Sequence, residues 1–252
     1  MPSSRHHPLE FAFIGSGNAF ARGRYWSSFL LNGRYLFDAP PTVVLHLKKM
    51  GLPPEDIEVA FISHFHGDHL FGLPFLLLEF AEVTPRTRDL TIVGPRGIQQ
   101  RVELITEAGF PNVACKDAGY RLRYLEVADG HEECLPLADD SLSFKALQVE
   151  HSSGLECYGF RVQIGDRVVA YSGDSTFCDA LVELADGADA FVVECSCWEG
   201  SCGPHLAPED IVELRRRISP RTTFILTHLD AGRADLGLEG VLIAEDFATF
   251  RL

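Results

Sequence analysis

The sequence predicts an α/β protein built as a four-layer αβ/βα sandwich, because short apolar runs typical of buried strands alternate along it with amphipathic runs typical of helices. The predicted strands fall into paired sets, and the helices that connect them are expected to cover the outer faces of the resulting sheets. Ligand-type side chains directly follow several strand runs, which requires strand ends to meet at one edge. The 252 residues, 46% of them hydrophobic, suffice for a full core.

Each strand is predicted from a short apolar run bounded by turn residues, and each helix from a longer amphipathic run. Strands are expected near residues 9–15, 27–32, 34–38, 59–62, 90–94, 121–127, 142–150, 157–164, 167–172, 189–194, 222–227 and 241–245. Helices are expected near residues 41–50, 70–80, 95–108, 178–185 and 207–217. The last helix has the clearest limits, because Pro208 suits a first turn and Arg215 to Arg217 place positive charge at the end.

The most informative segment is His64-Phe65-His66-Gly67-Asp68-His69, which follows an apolar run. Three imidazoles and one carboxylate in six positions are zinc ligands at a density that a surface loop would rarely reach by chance. In an extended chain the side chains of His64, His66 and Asp68 point to one side and that of His69 points elsewhere. The segment is therefore predicted to serve two neighbouring metal ions.

Further ligand-type residues lie where other apolar runs end. His151, Asp174 and His228 each follow a predicted strand. Two zinc ions with four or five ligands each need about seven protein groups if one group bridges them, and these residues complete that number. Because the ligands are spread from residue 64 to residue 228, dividing the chain would split the site, so a single domain over residues 1–252 is expected.

Taken together, the motifs resemble the metallo-β-lactamase superfamily, and within it the ribonuclease Z-like phosphodiesterase branch. The resemblance covers almost the whole chain. It rests on Leu9 to Gly17, Tyr35-Leu-Phe-Asp38, the histidine-rich segment with Leu70 to Pro74 after it, His151, Tyr171-Ser-Gly-Asp174 and Leu226-Thr-His228. It implies the four-layer metallo-β-lactamase sandwich, with the metal ions in a cleft at the sheet edge.

The same resemblance divides the ligands between two zinc ions. One ion would be held by His64, His66 and His151, the other by Asp68, His69 and His228, and Asp174 would bridge them. Zinc suits a set of imidazoles and carboxylates, and Mn²⁺ or Fe²⁺ are the alternatives at such sites.

Asp68, Glu194 and His205 are the expected catalytic residues. Glu194 and His205 resemble the Glu and His that this branch places beside the metals to protonate the leaving oxygen. Two other interpretations are open: Glu194 could orient a metal-bound imidazole, and His205 could be an exposed residue at the entry of a helix. The turn Gly15-Ser-Gly17, with Arg22 and Arg24 nearby, is either a substrate contact or a plain tight turn.

Hydrolysis is the reaction that such a centre would catalyse. Two adjacent zinc ions would lower the pKa of a shared water to about neutral and create a bridging hydroxide nucleophile, while they polarise an ester oxygen. Two dications against Asp68 and Asp174 leave the cluster positive, which suits an anionic phosphodiester despite the net charge of −14 on the chain. We therefore expect a dinuclear zinc phosphodiesterase.

Departures from ribonuclease Z decide the expected substrate. That family's tRNA-binding arm lies between the residues that match His151 and Asp174, yet these are only 23 positions apart here. The family's Gly-Glu-Gly-Thr-Gln element is replaced by Ala39-Pro-Pro-Thr-Val43. The overall acidity also opposes a large phosphate-backbone footprint, which needs clustered Lys and Arg, and the consecutive Arg215 to Arg217 would fan around a helix instead of forming a stripe. A small anionic phosphodiester is therefore expected, with a cyclic nucleotide as the specific interpretation.

Three alternatives are open: a ribonuclease Z-type tRNA 3′ endonuclease, a hydrolase of a non-phosphorus ester or lactone, and a non-catalytic metal-binding scaffold. The complete ligand set argues against the scaffold. The resemblance alone implies a homodimer.

Residues 1–8 are expected to form a flexible tail. The chain contains no run long enough to span a membrane and no signal-peptide core, so a cytoplasmic protein without a membrane partner is expected. The seven cysteines lack the regular spacing of a disulfide framework and are expected to be reduced. Cys195, Cys197 and Cys202 could hold a further metal if His205 or another Cys completed the site, but their spacing is not that of common zinc knuckles.

Overall fold

The computed structural model describes residues 8–113, 116, 118–137, 141–198, 203–230 and 236–252. All of the expected flexible tail except Pro8 lies outside the described residues, as does Cys202. None of the helices in the described ranges has the length and apolar character that crossing a bilayer requires.

The described residues form two seven-stranded sheets, named sheet 1 and sheet 2. In chain order the strands are β1 (Glu10–Gly15), β2 (Ser28–Leu31), β3 (Tyr35–Phe37), β4 (Val59–Phe61), β5 (Leu90–Pro95), β6 (Leu122–Val127), β7 (His131–Pro136), β8 (Ser141–Gln148), β9 (Tyr158–Ile164), β10 (Arg167–Tyr171), β11 (Ala190–Glu194), β12 (Thr223–Thr227), β13 (Val241–Ile243) and β14 (Thr249–Arg251). Sheet 1 has the order β14-β1-β2-β3-β4-β5-β6, and sheet 2 has the order β13-β12-β11-β10-β9-β8-β7.

Helices cover the outer face of each sheet. They are α1 (Val43–Met50), α2 (Gly67–Leu70), α3 (Leu73–Glu82), α4 (Ile98–Gly109), α5 (Asp179–Ala185) and α6 (Pro208–Arg217), with a short 3-10 helix at Pro54–Asp56. One apolar core joins α1, α3 and α4 to sheet 1, and a second joins α5 and α6 to sheet 2. A third lies between the sheets. The predicted four-layer αβ/βα sandwich is therefore confirmed.

The core between the sheets is rich in aromatic rings. Phe37 stacks on Phe29 and Phe61, with ring centroids 4.5 and 4.9 Å apart. Successive side chains of a strand point to opposite faces of its sheet, so neighbouring residues belong to different cores. In β4, Phe61 points into the core between the sheets and Ala60 points into the core under the helices. This packing holds the ends of β3 and β4 side by side, and the histidine-rich segment follows the end of β4.

The predicted strands and helices are all present, with boundary shifts of a few residues. Strands β7 and β14 were not predicted, since neither contains an apolar run. The helix expected near residues 70–80 is α3, which begins at Leu73; Gly72 separates it from the short α2, which was not predicted. A Cβ atom on Gly72 would lie 2.1 Å from the carbonyl oxygen of Pro40. Only glycine allows this approach, in which Gly72 N–H donates to the Ala39 carbonyl at 2.7 Å.

Candidate metal centre

The histidine-rich segment spans the junction between β4 and α2. His64 and His66 lie in the extended connection after β4, whereas Asp68 and His69 lie within α2. The expectation that Asp68 shares a side with His64 and His66 is therefore wrong, because the helix begins at Gly67 and turns Asp68 away from them. Two groups of ligand atoms result, and each recruits residues from sheet 2.

The first group, named cluster A, consists of His64, His66 and His151. His66 Nδ1 lies 2.8 Å from His64 Nε2 and 3.4 Å from His151 Nε2. Burial lowers the pKa of His64 well below its usual range and also lowers that of His66. Neutral imidazoles with converging nitrogen lone pairs are suited to a divalent ion.

The second group, named cluster B, consists of Asp68, His69 and His228. Asp68 Oδ2 lies 3.3 Å from His69 Nε2 and 3.8 Å from His228 Nε2. Burial opposes ionisation of Asp68, but the adjacent imidazoles of His69 and His228 outweigh it and lower the pKa of Asp68. The carboxylate therefore remains ionised beside the two imidazoles.

Asp174 lies between the two clusters, after β10. Its Oδ2 atom is 3.3 Å from the Nε2 atoms of His69 and His228 in cluster B. The same atom is 3.8 Å from the Nε2 atoms of His64 and His151 in cluster A. One carboxylate thus contacts ligands of both groups, as a bridging ligand must.

The donor atoms fit divalent metal ions. His69 Nε2, His228 Nε2 and Asp174 Oδ1 are buried and have no hydrogen-bond partner among the described residues. Two ligands of a tetrahedral zinc ion, each at 2.0–2.1 Å, lie about 3.3–3.4 Å apart. The carboxylates of Asp174, Asp38 and Asp68 raise the pKa of His69 well above its usual range against the opposing effect of burial, so this position favours positive charge.

Asp38 supports His69 and was not assigned a role from the sequence. It follows β3 and accepts hydrogen bonds from His69 Nδ1 at 2.8 Å and from the Tyr171 hydroxyl at 2.6 Å. It also accepts from the backbone and hydroxyl groups of Ser63, each at 2.8 Å. Donation from Nδ1 leaves the Nε2 lone pair of His69 for the metal. Its position directly after an apolar strand was the available signal.

Ser196 supports His228 in the same way, and it was also missed. Its hydroxyl lies 2.8 Å from His228 Nδ1 and donates to Glu194 Oε2 at 3.0 Å. The backbone of His228 has a φ of 55°, a left-handed conformation that turns the ring from the end of β12 into the cavity. No sequence motif indicated Ser196, since a serine after a strand is ordinary.

Glu194 and His205 form a pair at the wall of the centre. Glu194 is buried and accepts from the backbone N–H groups of Ser175 and Ser196 and from His205 Nδ1, the last at 2.8 Å. Burial lowers the pKa of His205, but the hydrogen bond to Glu194 and its charge have the larger combined effect and raise it. His205 therefore retains a proton more readily than a free histidine.

His205 also meets the geometric condition for a metal ligand. Ligand atoms of Asp174, Glu194, His205 and His228 lie within 4.8 Å of one another. The ring of His205 is 4.8 Å from that of His151 and 5.3 Å from that of His228, between centroids. The geometry thus suits His205 both as a proton donor and as a ligand, and the metal content of His205→Ala distinguishes the two roles.

The clusters open into a cavity of about 490 Å³. Besides candidate ligands, the cavity is lined by Asn18, Ala19, Phe20, Gly67, Ser152, Ser196, Pro204, His205 and Asp230. Arg24 does not line it, since its guanidinium donates to Ser16 Oγ at 2.7 Å and to the Ala244 carbonyl at 2.9 Å. Arg24 is therefore a structural residue of the Gly15 to Gly17 turn, and Arg22 is exposed.

The cysteine expectations are partly wrong. Cys197 is disulfide-bonded and so is not a free thiol. Cys195 is free and buried, and burial raises the pKa of its thiol, which disfavours the thiolate form that a metal requires. Among the described residues, no candidate metal-binding group includes a cysteine, and Cys202 lies outside those residues.

Comparison with known proteins identifies relatives of this architecture. Residues 33–229 match the family model for the beta-lactamase superfamily domain. A ribonuclease Z of Geobacillus kaustophilus (strain HTA426) is 28% identical over 318 aligned positions, which cover 97% of this chain and 99% of that protein.

Solved structures show the same fold. Human tRNase Z, short form, superposes with a TM-score of 0.77 at 23% identity, over 96% of this chain and 98% of the human chain. A diphosphatase from the PhnP family superposes with a TM-score of 0.72 at 18% identity, over 98% of each chain. The family match covers most of the chain and spans every ligand candidate. We conclude that the chain belongs to the beta-lactamase superfamily domain family, as a metal-dependent hydrolase of its ribonuclease Z-like branch.

Proposed function

We propose that this protein is a dinuclear zinc phosphodiesterase that hydrolyses small phosphodiesters, with cyclic nucleotides as the substrate class. The observation that carries the proposal is the position of Asp174, whose Oδ2 atom contacts imidazoles of both cluster A and cluster B. Zinc ions, when bound, would polarise a phosphoryl oxygen and lower the pKa of water at the site. Cluster A would hold one ion, cluster B the other, and Asp174 both.

The remaining residues of the centre would orient the ligands and move a proton. Asp38 fixes the tautomer of His69, and Ser196 binds Nδ1 of His228, so that both rings present Nε2 to cluster B. In the same way Glu194 holds the proton of His205 on Nδ1, and its charge favours a second proton on Nε2. Transfer of that Nε2 proton to the leaving oxygen, as the phosphorus–oxygen bond breaks, is the role we propose for His205.

Asp68 is proposed as a catalytic residue as well as a ligand. Its side chain is 14% exposed, more than those of His69 and His228, and it lines the cavity. A carboxylate there is close enough to accept a hydrogen bond from a water that enters cluster B. Asp174, which is almost fully buried, is less accessible to such a water.

Three observations favour a small substrate. The cavity, at about 490 Å³, is within the range of small-molecule sites. Residues 151–174 are all described and contain the hairpin of β9 and β10 in place of a separate arm. An alignment of 318 positions with a chain of 252 residues leaves at least 66 positions of the Geobacillus ribonuclease Z alignment at which this chain has no residue.

A substrate panel with zinc-loaded protein tests the proposal. It comprises bis-p-nitrophenyl phosphate, 3′,5′-cyclic mononucleotides, a precursor tRNA and a lactone. We expect turnover of the phosphodiesters and no comparable tRNA processing. Efficient, salt-sensitive cleavage at the tRNA 3′ end would favour the ribonuclease Z-type alternative, and lactone opening with inert phosphodiesters would favour the non-phosphorus ester alternative.

The homodimer and the cytoplasmic location expected from the sequence stay predictions. Sedimentation analysis of the zinc-loaded protein measures the first, since a homodimer doubles the chain mass of 27.9 kDa. Fractionation of the source cells measures the second.

A further inference from the structure

We infer that Phe20 is an aromatic stacking platform that selects substrates carrying a planar ring, such as a nucleobase, beside the phosphodiester. The inference rests on the proposed phosphodiesterase function and names a feature of its substrate. It starts from an exposed side chain that neither the metal centre nor the proton-donor pair uses.

Phe20 stands out among the exposed apolar residues. Its side chain is 90% exposed, the highest value of any large hydrophobic residue in the described chain. The others with large exposure, such as Leu45 at 66% and Leu104 at 64%, do not line the cavity that holds the metal-ligand candidates. Single exposed apolar residues are ordinary, but one at the mouth of a catalytic cavity is placed to contact a ligand.

The backbone around Phe20 is held in place by hydrogen bonds. The Asn18 side-chain oxygen accepts from the Phe20 N–H at 2.9 Å, and the Asn18 N–H donates to the Leu229 carbonyl at 3.0 Å, next to the candidate ligand His228. The Trp26 indole N–H donates to the Ala19 carbonyl at 3.4 Å. Phe20 is therefore presented from a fixed position relative to the metal centre, as a recognition residue requires.

The loop is also fixed at its base. Gly17 N–H donates to the Tyr25 carbonyl at 2.7 Å, and Ser27 N–H donates to the Gly17 carbonyl at 2.8 Å. A Cβ atom on Gly17 would lie 2.7 Å from the Cβ atom of Arg24, so this closure depends on glycine. Arg24 and Asp246 tie the same turn to the C-terminal segment.

The chemistry of the cavity indicates the ligand class. The metal-ligand candidates suit an anionic phosphoryl group, while Phe20 offers an uncharged aromatic face at the edge of the same small cavity. A nucleotide combines both features, since its phosphate and its planar base are joined through a sugar. Stacking of a base on an aromatic side chain is tolerant of base identity, so we expect little preference among bases.

The test uses two cyclic phosphodiesters that differ only in the base. They are adenosine 3′,5′-cyclic monophosphate and methyl β-ribofuranoside 3′,5′-cyclic phosphate, and the quantity measured is the ratio of their kcat/KM values. In Phe20→Ala this ratio should fall by about 5- to 150-fold, the range found for loss of base stacking. Phe20→Tyr should retain the ratio. Phe75→Ala, a control phenylalanine 45% exposed outside the cavity, should leave it unchanged.

Calorimetric binding of adenosine 5′-monophosphate and ribose 5-phosphate to the zinc-loaded protein gives a readout that does not need turnover. The Phe20→Ala change should weaken the first ligand selectively. Equal losses for both members of either pair, or no loss, would overturn the inference. If the wild type hydrolyses neither cyclic compound, the proposed function fails, and the binding pair still decides the role of Phe20.

Discussion

Most of the imidazoles around the cavity have one nitrogen bound to the protein and the other directed toward the ligand clusters. His69 Nδ1 donates to Asp38, His151 Nδ1 donates to the Pro204 carbonyl, and His228 Nδ1 pairs with Ser196. The bonds to Asp38 and to the Pro204 carbonyl select the tautomer in which Nε2 carries the lone pair, and the contact with Ser196 leaves Nε2 of His228 directed toward cluster B. The residues that bind the imidazoles therefore matter to metal affinity almost as much as the ligands themselves.

His205 also has its Nδ1 atom bound to the protein, through Glu194, but its removal is expected to affect the rate and not the metal content. His205→Ala should keep both metal ions and slow a cyclic nucleotide by about 10²- to 10⁴-fold, the usual range for a lost general acid. Bis-p-nitrophenyl phosphate should suffer much less, because p-nitrophenolate leaves without a proton. Elemental analysis and steady-state kinetics on both substrates make the comparison.

The control is His131→Ala, which removes a histidine whose ring stacks on Phe144 away from the cavity. It should leave metal content and the rate ratio of the two substrates unchanged. Equal losses for both substrates in His205→Ala at full metal content would refute the proton-donor role. Loss of metal would instead make His205 a ligand.

At the scale of elements, the junction of β3 with α2 connects the fold to the metal centre. Ala39 N–H donates to the His69 carbonyl and Gly72 N–H donates to the Ala39 carbonyl, each at 2.7 Å. These bonds hold Asp38, one residue before Ala39, against His69. The sequence pattern predicts a helix near residues 70–80 but not the short α2 before it, and the glycine between α2 and α3 permits the contact.

Gly72→Ala should be destabilising for this reason. The added Cβ would lie 2.1 Å from the Pro40 carbonyl oxygen, so the backbone must shift, and overpacking of this kind costs about 1–3 kcal/mol. The same shift should separate Asp38 from His69 and weaken zinc binding. Urea unfolding and zinc competition with a chelator measure the two effects.

Gly109→Ala is the matched control. Gly109 ends α4, and a Cβ atom there meets nothing within 4 Å. The substitution should be neutral or stabilising by about 0.4–1 kcal/mol, since it reduces the entropy of the unfolded chain. A Gly72→Ala protein as stable as Gly109→Ala would show that the close approach is not required.

On the scale of the whole molecule, the two sheets share one pairing pattern. Counted from β14 in sheet 1 and from β7 in sheet 2, each sheet has three antiparallel pairings and then three parallel ones. Sheet 1 differs in that its edge strand β14 comes from the end of the chain. The ligand candidates come from both sheets, with His64 after β4 and Asp174 after β10. A bound metal pair would therefore join the two halves of the molecule.

Metal removal should accordingly lower global stability. A metal that binds only the folded chain stabilises it by about 2.7 kcal/mol at 100 times its Kd. For a chain of 252 residues this corresponds to a fall in Tm of about 5–10 °C on chelation, reversed by zinc. Calorimetry with and without chelator measures the shift, and elemental analysis should find two metal ions per chain.

Asp174→Ala should abolish both the metal content and the chelator-dependent shift, because this carboxylate contacts both clusters. Asp179→Ala removes a carboxylate that is 93% exposed and should behave as the wild type. A Tm that does not respond to chelation in zinc-loaded protein would contradict the prediction that the metals join the sheets.

Features that depend on local pattern could be predicted from the sequence. Apolar runs of strand length located the strands of both sheet interiors, because burial on both faces requires a continuous apolar run. The density of ligand-type residues at His64 to His69 located the candidate centre, because few other local patterns have that composition. Strands β7 and β14 escaped prediction, since edge strands require fewer apolar residues; in β7 only Leu135 is buried.

Contacts between side chains that are distant in the sequence could not be predicted from it. Tyr171 and Asp38 share a hydrogen bond across 133 positions of sequence, and Ser196 meets His228 across 32. Such contacts depend on how the sheets pack, which the period of a single strand does not encode. The placement of Asp68 in cluster B and of Phe20 at the cavity likewise could not be predicted from the sequence. Ligand types are a local property of the chain, whereas their grouping is set by the packing of distant strand ends.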